Sequence, residues 1–274
     1  MKNICVLGDG AWGTAVATLL AHNGYHVKLW CHDAANVQTI ARTHINERYL
    51  PEHHLSENII PTASLKDAMC GSQWIFEAIP VQYLRSVIAQ AAPYFTDDQV
   101  WVILSKGIEQ NTLMLPTQII DDVSGMQHKK AVCAGPSFAA DLASKQVTAV
   151  SVASTDCALI PELQSMLENE YFRLFPNTDL IGVQVGGALK NVITLGVGML
   201  EGAGYTDNTK AFLVTRGLQE MAVAAKALGG DPETIYGLSG VGDLMLTALG
   251  KLSRNLAVGK RLGHGDALQH ILDE

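Results

Sequence analysis

Residues 4–7, Ile-Cys-Val-Leu, run directly into Gly8-Asp9-Gly10-Ala11-Trp12-Gly13, and an apolar-periodic stretch follows to Asn23. Glycines spaced G-x-G-x-x-G between a strand-like run and a helix leave this part of the chain few alternatives. Gly8 permits a tight turn, Gly10 lets a pyrophosphate approach the backbone, and Gly13 lets helix and strand pack closely. The helix that starts near Trp12 then offers unpaired N–H groups and the positive end of its dipole to an anion. The second apolar run, residues 26–31, ends at His32-Asp33, and Asp33 lies twenty residues past Gly13. At that distance an acidic side chain meets a ribose hydroxyl. A carboxylate repels a 2′-phosphate and favours NAD, whereas a protonated His32 would accept one, so NAD and NADP both stay open. The bland alternative, a glycine corner that only closes a strand–helix unit, does not account for the acidic residue in register.

The 274 residues carry a formal charge of −8 and no Lys/Arg-rich run. Nucleic acid and anionic membranes both need clustered positive charge, so a small-molecule partner fits better. The opening enters a strand without the pattern of a signal peptide, and no uninterrupted apolar run reaches the roughly 20 residues of a membrane span. Cys5, Cys31, Cys70, Cys133 and Cys157 are scattered, without metal-ligand spacing. They are expected to be buried, reduced thiols in a metal-free cytoplasmic protein.

Residues 1–186 alternate short apolar runs with segments long enough for crossover helices, the rhythm of a parallel sheet covered on both faces. From Asp179 the β-branched runs stop and helical text begins. The predicted class is therefore α/β, with a dinucleotide-binding sheet domain over residues 1–186 and a mostly α-helical substrate domain over 187–274. A continuous helix, rather than a flexible tether, is expected to join them.

Four later stretches carry site-like chemistry. Lys106 follows the apolar run 100–104, at a strand's carboxyl end where open α/β sheets bind ligands. Gly135-Pro136-Ser137 ends another run in a turn whose N–H groups and hydroxyl suit an anion. Lys190 is the only charge in the helical stretch 180–200, where desolvation lowers an amine's pKa toward the range of a general acid. Asp243 is likewise alone among apolar residues between Glu233 and Lys251. A buried carboxylate needs a cation, and Lys190 is a candidate. Ser253 reads as a helix N-cap, with Arg254 and Asn255 in the first turn, a suitable combination for a phosphate.

The stretches GDGAWGTAVA, SKGIE, GPSFA, GVQVGGALKNVITLGVGMLEG, TRGLQEM and GVGDLMLT followed by SRN occur in this order across nearly the whole chain. In order and spacing the chain resembles the bacterial NAD(P)-dependent glycerol-3-phosphate dehydrogenases. The resemblance implies a Rossmann-type domain followed by a helical one, NAD or NADP as cofactor, and interconversion of dihydroxyacetone phosphate and sn-glycerol 3-phosphate for phospholipid synthesis. It implies cofactor contacts from the backbone around Ala11 and Trp12 and from His32, Lys106, Ala139 and Arg254. The implied substrate contacts are Lys106, Gly135, Ser137, Lys190, Asp243, Ser253, Arg254 and Asn255, with Lys190 as the acid or base. Two departures stand out: an apolar ALGKL stretch replaces the polar one that commonly precedes Ser253, and the helical domain is expected to be shortened at its C-terminus. Self-association as a homodimer is expected from the apolar faces this would expose. A β-hydroxyacid or 6-phosphogluconate type of dehydrogenase and a nucleotide-sensing module are the competing readings. Gly135-Pro136-Ser137 with Ser253-Arg254-Asn255 disfavours the first, and a desolvated lysine disfavours the second.

Overall fold

A computed structural model of the chain describes residues 2–125, 127–250 and 252–273. They divide into two compact units, Met1–Cys133 with Ser137–Thr178, and Ala134–Pro136 with Asp179–Glu274.

The first unit is built on strands β1 (Ile4–Leu7), β2 (Val27–Trp30), β5 (Ile59–Thr62), β6 (Trp74–Glu77), β7 (Val100–Ile103), β8 (Lys129–Ala134), β9 (Thr148–Ala153) and β10 (Phe172–Asn177). They lie in the order β10-β9-β8-β7-β6-β1-β2-β5. The pairs β1/β2, β2/β5, β1/β6, β6/β7, β7/β8 and β9/β10 are all parallel. Every residue of β1, β6 and β7 is buried, as continuous apolar runs require when helices cover both faces of a sheet. From β1 the chain steps outward to β2 and β5, then returns to the other side of β1 as β6. The strand order therefore reverses at β1/β6, and the crevice beyond their carboxyl ends is where sheets of this Rossmann-like kind hold ligands.

The connecting helices are α1 (Ala11–His22), α2 (Ala34–Thr43), α3 (Leu65–Met69), α4 (Val81–Ala91), α5 (Pro116–Ser124), α6 (Ala139–Ala143) and α7 (Leu159–Leu167). A small antiparallel pair, β3 (Ile45–Asn46) and β4 (Leu50–His54), lies between α2 and β5. Neither this pair nor β5 is evident from the sequence. β4 reads Leu-Pro-Glu-His-His and is largely exposed, so it lacks the apolar alternation that marks a strand.

The second unit holds α8 (Leu180–Gly202), α9 (Asp207–Ala227), α10 (Asp243–Leu249), α11 (Arg254–His264) and α12 (Leu268–Leu272). The division falls at Asp179, the N-cap of α8, and not at 186/187. Helix α8 runs unbroken through 186/187, where a continuous helix was expected, and lies wholly within the second unit. Helix α8 is long and apolar enough to cross a membrane, but 56% of its most apolar window is buried inside the protein. It is the helix around which α9, α10 and α11 assemble. α11 approaches it with little separation because both carry glycines four apart. A Cβ on Gly198 would stand 2.4 Å from the Leu256 carbonyl oxygen, and one on Gly263 would stand 2.1 Å from that of Met199.

Cys5, Cys31 and Cys133 are buried, and desolvation pushes their thiols up. Cys70 and Cys157 are exposed, contrary to the expectation that all five are buried. Cys70 caps the short α3 and Cys157 lies just ahead of α7, positions that face solvent whatever the residue.

Candidate active site

On the first unit, the glycine turn leaves β1 and opens α1. Gly8 has φ +115°, and a Cβ there would lie 2.7 Å from the Ala78 carbonyl oxygen. At Gly13 a Cβ would fall 2.0 Å from the carbonyl oxygen of Gly8, so the turn closes only with glycine at both positions. Gly10, the N-cap of α1, differs: a Cβ there would meet nothing within 4 Å. Open space thus lies ahead of a 12-residue helix whose first N–H groups carry no side-chain cap. An anion fits that end of the helix on charge and on room alike.

The turn is braced from α2 and β3. Asn36 donates to the Asp9 carboxylate at 2.6 Å, while Asn46 donates to the Asp9 carbonyl at 2.7 Å and to the Thr14 hydroxyl at 2.8 Å. Sequence reasoning passed over Asn36 and Asn46, because nothing local tells an amide that braces a distant turn from one in solvent. Asp33 and His32 are exposed. One Asp33 oxygen accepts from the Ala35 N–H at 2.9 Å as the N-cap of α2, and the other faces Arg48 at 3.4 Å. Ala11 and Trp12 are half-buried at the start of α1, and Ala139 is half-buried as the first residue of α6. Lys106, also half-buried, follows β7, and Ser137 follows β8.

Glu77, the last residue of β6, was not anticipated as part of the site. It is fully buried and accepts from the Ile79 N–H and the Ser105 hydroxyl, both at 2.6 Å. The signal available was a carboxylate in the otherwise apolar run Trp-Ile-Phe-Glu-Ala-Ile.

On the second unit, Lys190 of α8 and Asp243, the first residue of α10, form an ion pair at 2.6 Å with both side chains buried. The contact that the sequence leaves open is made. One helical turn further along each helix, Thr194 and Thr247 share a hydrogen bond at 3.0 Å, while each hydroxyl also lies 2.8 Å from the carbonyl four residues back. Two polar rungs thus fix the register of α8 against α10, with Lys190 and Asp243 as one of them. Asp243 is delivered by a π-type turn, Leu238–Gly242, an irregularity frequent at functional sites. Ser239 in that turn has a buried hydroxyl without a partner. Gly135 is buried, and Pro136 lies against Gly242 in the same unit. Ser253 is the N-cap of α11 and accepts from the Leu256 N–H at 3.2 Å; Arg254 is exposed and Asn255 half-buried in the first turn.

Family models for the NAD-dependent glycerol-3-phosphate dehydrogenase N-terminus and C-terminus match residues 3–160 and 179–274. This chain belongs to that family. Among its curated relatives, glycerol-3-phosphate dehydrogenase [NAD(P)+] of Bacillus velezensis is 40% identical over 100% of this chain and 80% of its own length. The enzyme of Latilactobacillus sakei is 42% identical over 99% of this chain and 81% of its own length. A crystal structure of glycerol-3-phosphate dehydrogenase from Coxiella burnetii superposes with a TM-score of 0.95 at 33% identity, covering 99% of this chain and 83% of that one. Family membership makes the chain an NAD(P)-dependent oxidoreductase with an N-terminal cofactor-binding unit.

Burial pushes the Glu77 carboxyl up to about 7 from an ordinary 4.5, against the pull of its hydrogen bonds with Ser105 and Ile79. Across that window the folded chain holds a proton that the unfolded chain has released, so Glu77 erodes stability as pH rises from 4.5 to 7. Glu77→Gln keeps the shape and abolishes the titration. Relative to wild type, the Gln variant should gain up to ~3 kcal/mol between pH 4.5 and pH 8. Urea unfolding of both proteins at pH 5 and pH 8 measures the difference.

Proposed function

We propose that the chain interconverts dihydroxyacetone phosphate and sn-glycerol 3-phosphate with NADH or NADPH, and that Lys190 is its acid and base. The observation that carries the assignment of roles is the buried Lys190–Asp243 pair at 2.6 Å, in a member of a glycerol-3-phosphate dehydrogenase family.

Gly8, Gly10, the N–H groups at Ala11 and Trp12, and Gly13 would hold the pyrophosphate, His32 and Asp33 would take the adenosine ribose, and Lys106, Ala139 and Arg254 would make further contacts. A nicotinamide cofactor held by these residues would supply the hydride for reduction of the carbonyl carbon. The Lys190 ammonium gives its proton to the oxygen on which charge develops, and in the oxidative direction the neutral amine takes that proton back. Asp243 fixes the ammonium in place through a charge-assisted hydrogen bond, and its second oxygen can accept from a substrate hydroxyl. Lys106, Gly135, Ser137, Ser253, Arg254 and Asn255 hold the phosphorylated substrate. Ser253 caps an 11-residue helix whose dipole favours an anion at its start.

The glycine turn supplies a prediction with opposite outcomes at two positions. Gly10→Ala places its methyl in open space, so the melting temperature stays near wild type while the KM for the cofactor rises. Gly13→Ala forces a methyl onto the Gly8 carbonyl and destabilises the first unit by several kcal/mol, on the order of 3. Thermal melts and NADH titrations on the two variants read both effects.

A cytoplasmic homodimer fits this reading. The five cysteines are free thiols, the state a reducing compartment maintains. Val192, Phe212, Val223, Leu249 and Leu252 of the second unit are exposed, apolar surface that a second copy would cover. Sedimentation equilibrium decides between monomer and dimer.

A further inference from the structure

Glu77 is a buried, site-proximal carboxylate to which the reaction as proposed gives no task. Its neighbours along β6, Trp74, Ile75 and Phe76, are fully buried, and an apolar residue at position 77 would spare the strand the cost of desolvating a charge. What the carboxylate does instead is join two loops at the carboxyl edge of the sheet. It accepts from the Ile79 N–H in the loop after β6 and from the Ser105 hydroxyl in the loop after β7, and the Ser105 N–H is a further donor to it. Ser105 immediately precedes Lys106. On the other side of Lys106, Gly107 has φ +143° and packs so closely on α4 that a Cβ would stand 2.6 Å from Val81 Cγ1. The three-residue loop is therefore pinned at both ends, by Glu77 through Ser105 and by Val81 against Gly107. Lys106 is the residue between the pins.

We infer that Glu77 is a positioning residue for the reaction: by clamping Ser105 it sets the loop conformation from which Lys106 engages cofactor and substrate. The inference rests on the role proposed above for Lys106. A long, flexible ammonium side chain binds an anion well only when its backbone origin is fixed, because otherwise ordering the loop is charged against binding. The clamp needs hydrogen-bonding groups at position 77, not a negative charge. Glutamine retains a carbonyl oxygen for an N–H and an amide for the Ser105 hydroxyl oxygen, whereas leucine fills the space and offers neither.

The test is a kinetic cycle with dihydroxyacetone phosphate and NADH on wild type, Glu77→Gln, Glu77→Leu, Lys106→Ala and the double variant Glu77→Leu/Lys106→Ala. The expected results are a loss of about tenfold in kcat/KM for Glu77→Leu, and recovery to within about twofold of wild type for Glu77→Gln. The double variant should be no worse than Lys106→Ala alone, because Glu77 acts through Lys106. Full activity of Glu77→Leu, a Glu77→Gln variant as impaired as the leucine, or a double variant whose losses multiply would each overturn the inference. A Lys106→Ala variant with wild-type kinetics would instead remove the role of Lys106 and the clamp with it. Should Glu77→Leu fail to fold, Ser105→Ala replaces it in the same cycle, and independence from Lys106→Ala overturns the inference equally.

Discussion

Lys190→Met reduces dihydroxyacetone phosphate with a kcat lowered by about 10²–10⁴-fold, the usual range for loss of a positioned proton donor, while its affinity for NADH is unchanged. The split follows from where the residue sits. Lys190 projects from α8 in the helical unit and is held by Asp243, whereas the glycine turn and its anion-binding helix end belong to the sheet unit. With the roles proposed for them, losing the amine removes the proton for the developing alkoxide and leaves the cofactor's main holding points intact. Methionine is preferred to alanine because it fills the buried volume of the lysine stem. NADH fluorescence titration reads the binding, and stopped-flow oxidation reads the step.

Asp243→Ala costs about 3–5 kcal/mol of unfolding free energy, the penalty for breaking a buried ion pair from one side, and abolishes turnover as well. Both side chains of the pair lie out of water, with Lys190 5% and Asp243 1% exposed, so the ammonium loses its carboxylate partner at 2.6 Å where water does not replace it. The partner substitution separates fold from chemistry. In Lys190→Met/Asp243→Leu both charges are gone, and the cavity is filled by apolar groups that need no hydrogen bond. Replacing a buried pair in this way is often neutral or stabilising, so the double variant should recover most of the lost stability and none of the activity. Urea unfolding of wild type, Lys190→Met, Asp243→Ala and the double variant measures the recovery. If the double variant is as unstable as Asp243→Ala, a buried charge left without its carboxylate is not what destabilises that variant.

What the sequence made legible was local. The glycine turn lies within a single strand–helix passage, and the roles of Gly8 and Gly13 are set by backbone atoms a few residues away or in the adjacent strand's loop. Ser253 as a helix cap is likewise local, and its bond to the Leu256 N–H follows from spacing alone. Lys190 and Asp243 lie 53 positions apart, and their meeting was suggested only because each is a lone charge in apolar text. Long-range support was not legible. Asn46 reaches Asp9 over 37 positions and Ser105 reaches Glu77 over 28, through side chains that look like any other surface amide or hydroxyl in a one-dimensional reading. The unit boundary was misplaced for a related reason. The end of the β-branched runs marks the change of unit only to within several residues, and Gly186 lies well inside α8, where a Cβ on it would come 2.7 Å from the Ser239 carbonyl oxygen. There glycine marks close packing against the turn that delivers Asp243.

The measurement that bears most directly on the whole account is oxidation of NADH and of NADPH with dihydroxyacetone phosphate, run in parallel on the 274-residue chain and on Lys190→Met. The account predicts turnover by the wild-type chain with at least one of the two cofactors, and its loss in the variant while NADH binding persists. Absence of turnover from a folded, NADH-binding wild-type chain, or equal turnover by both proteins, would contradict it.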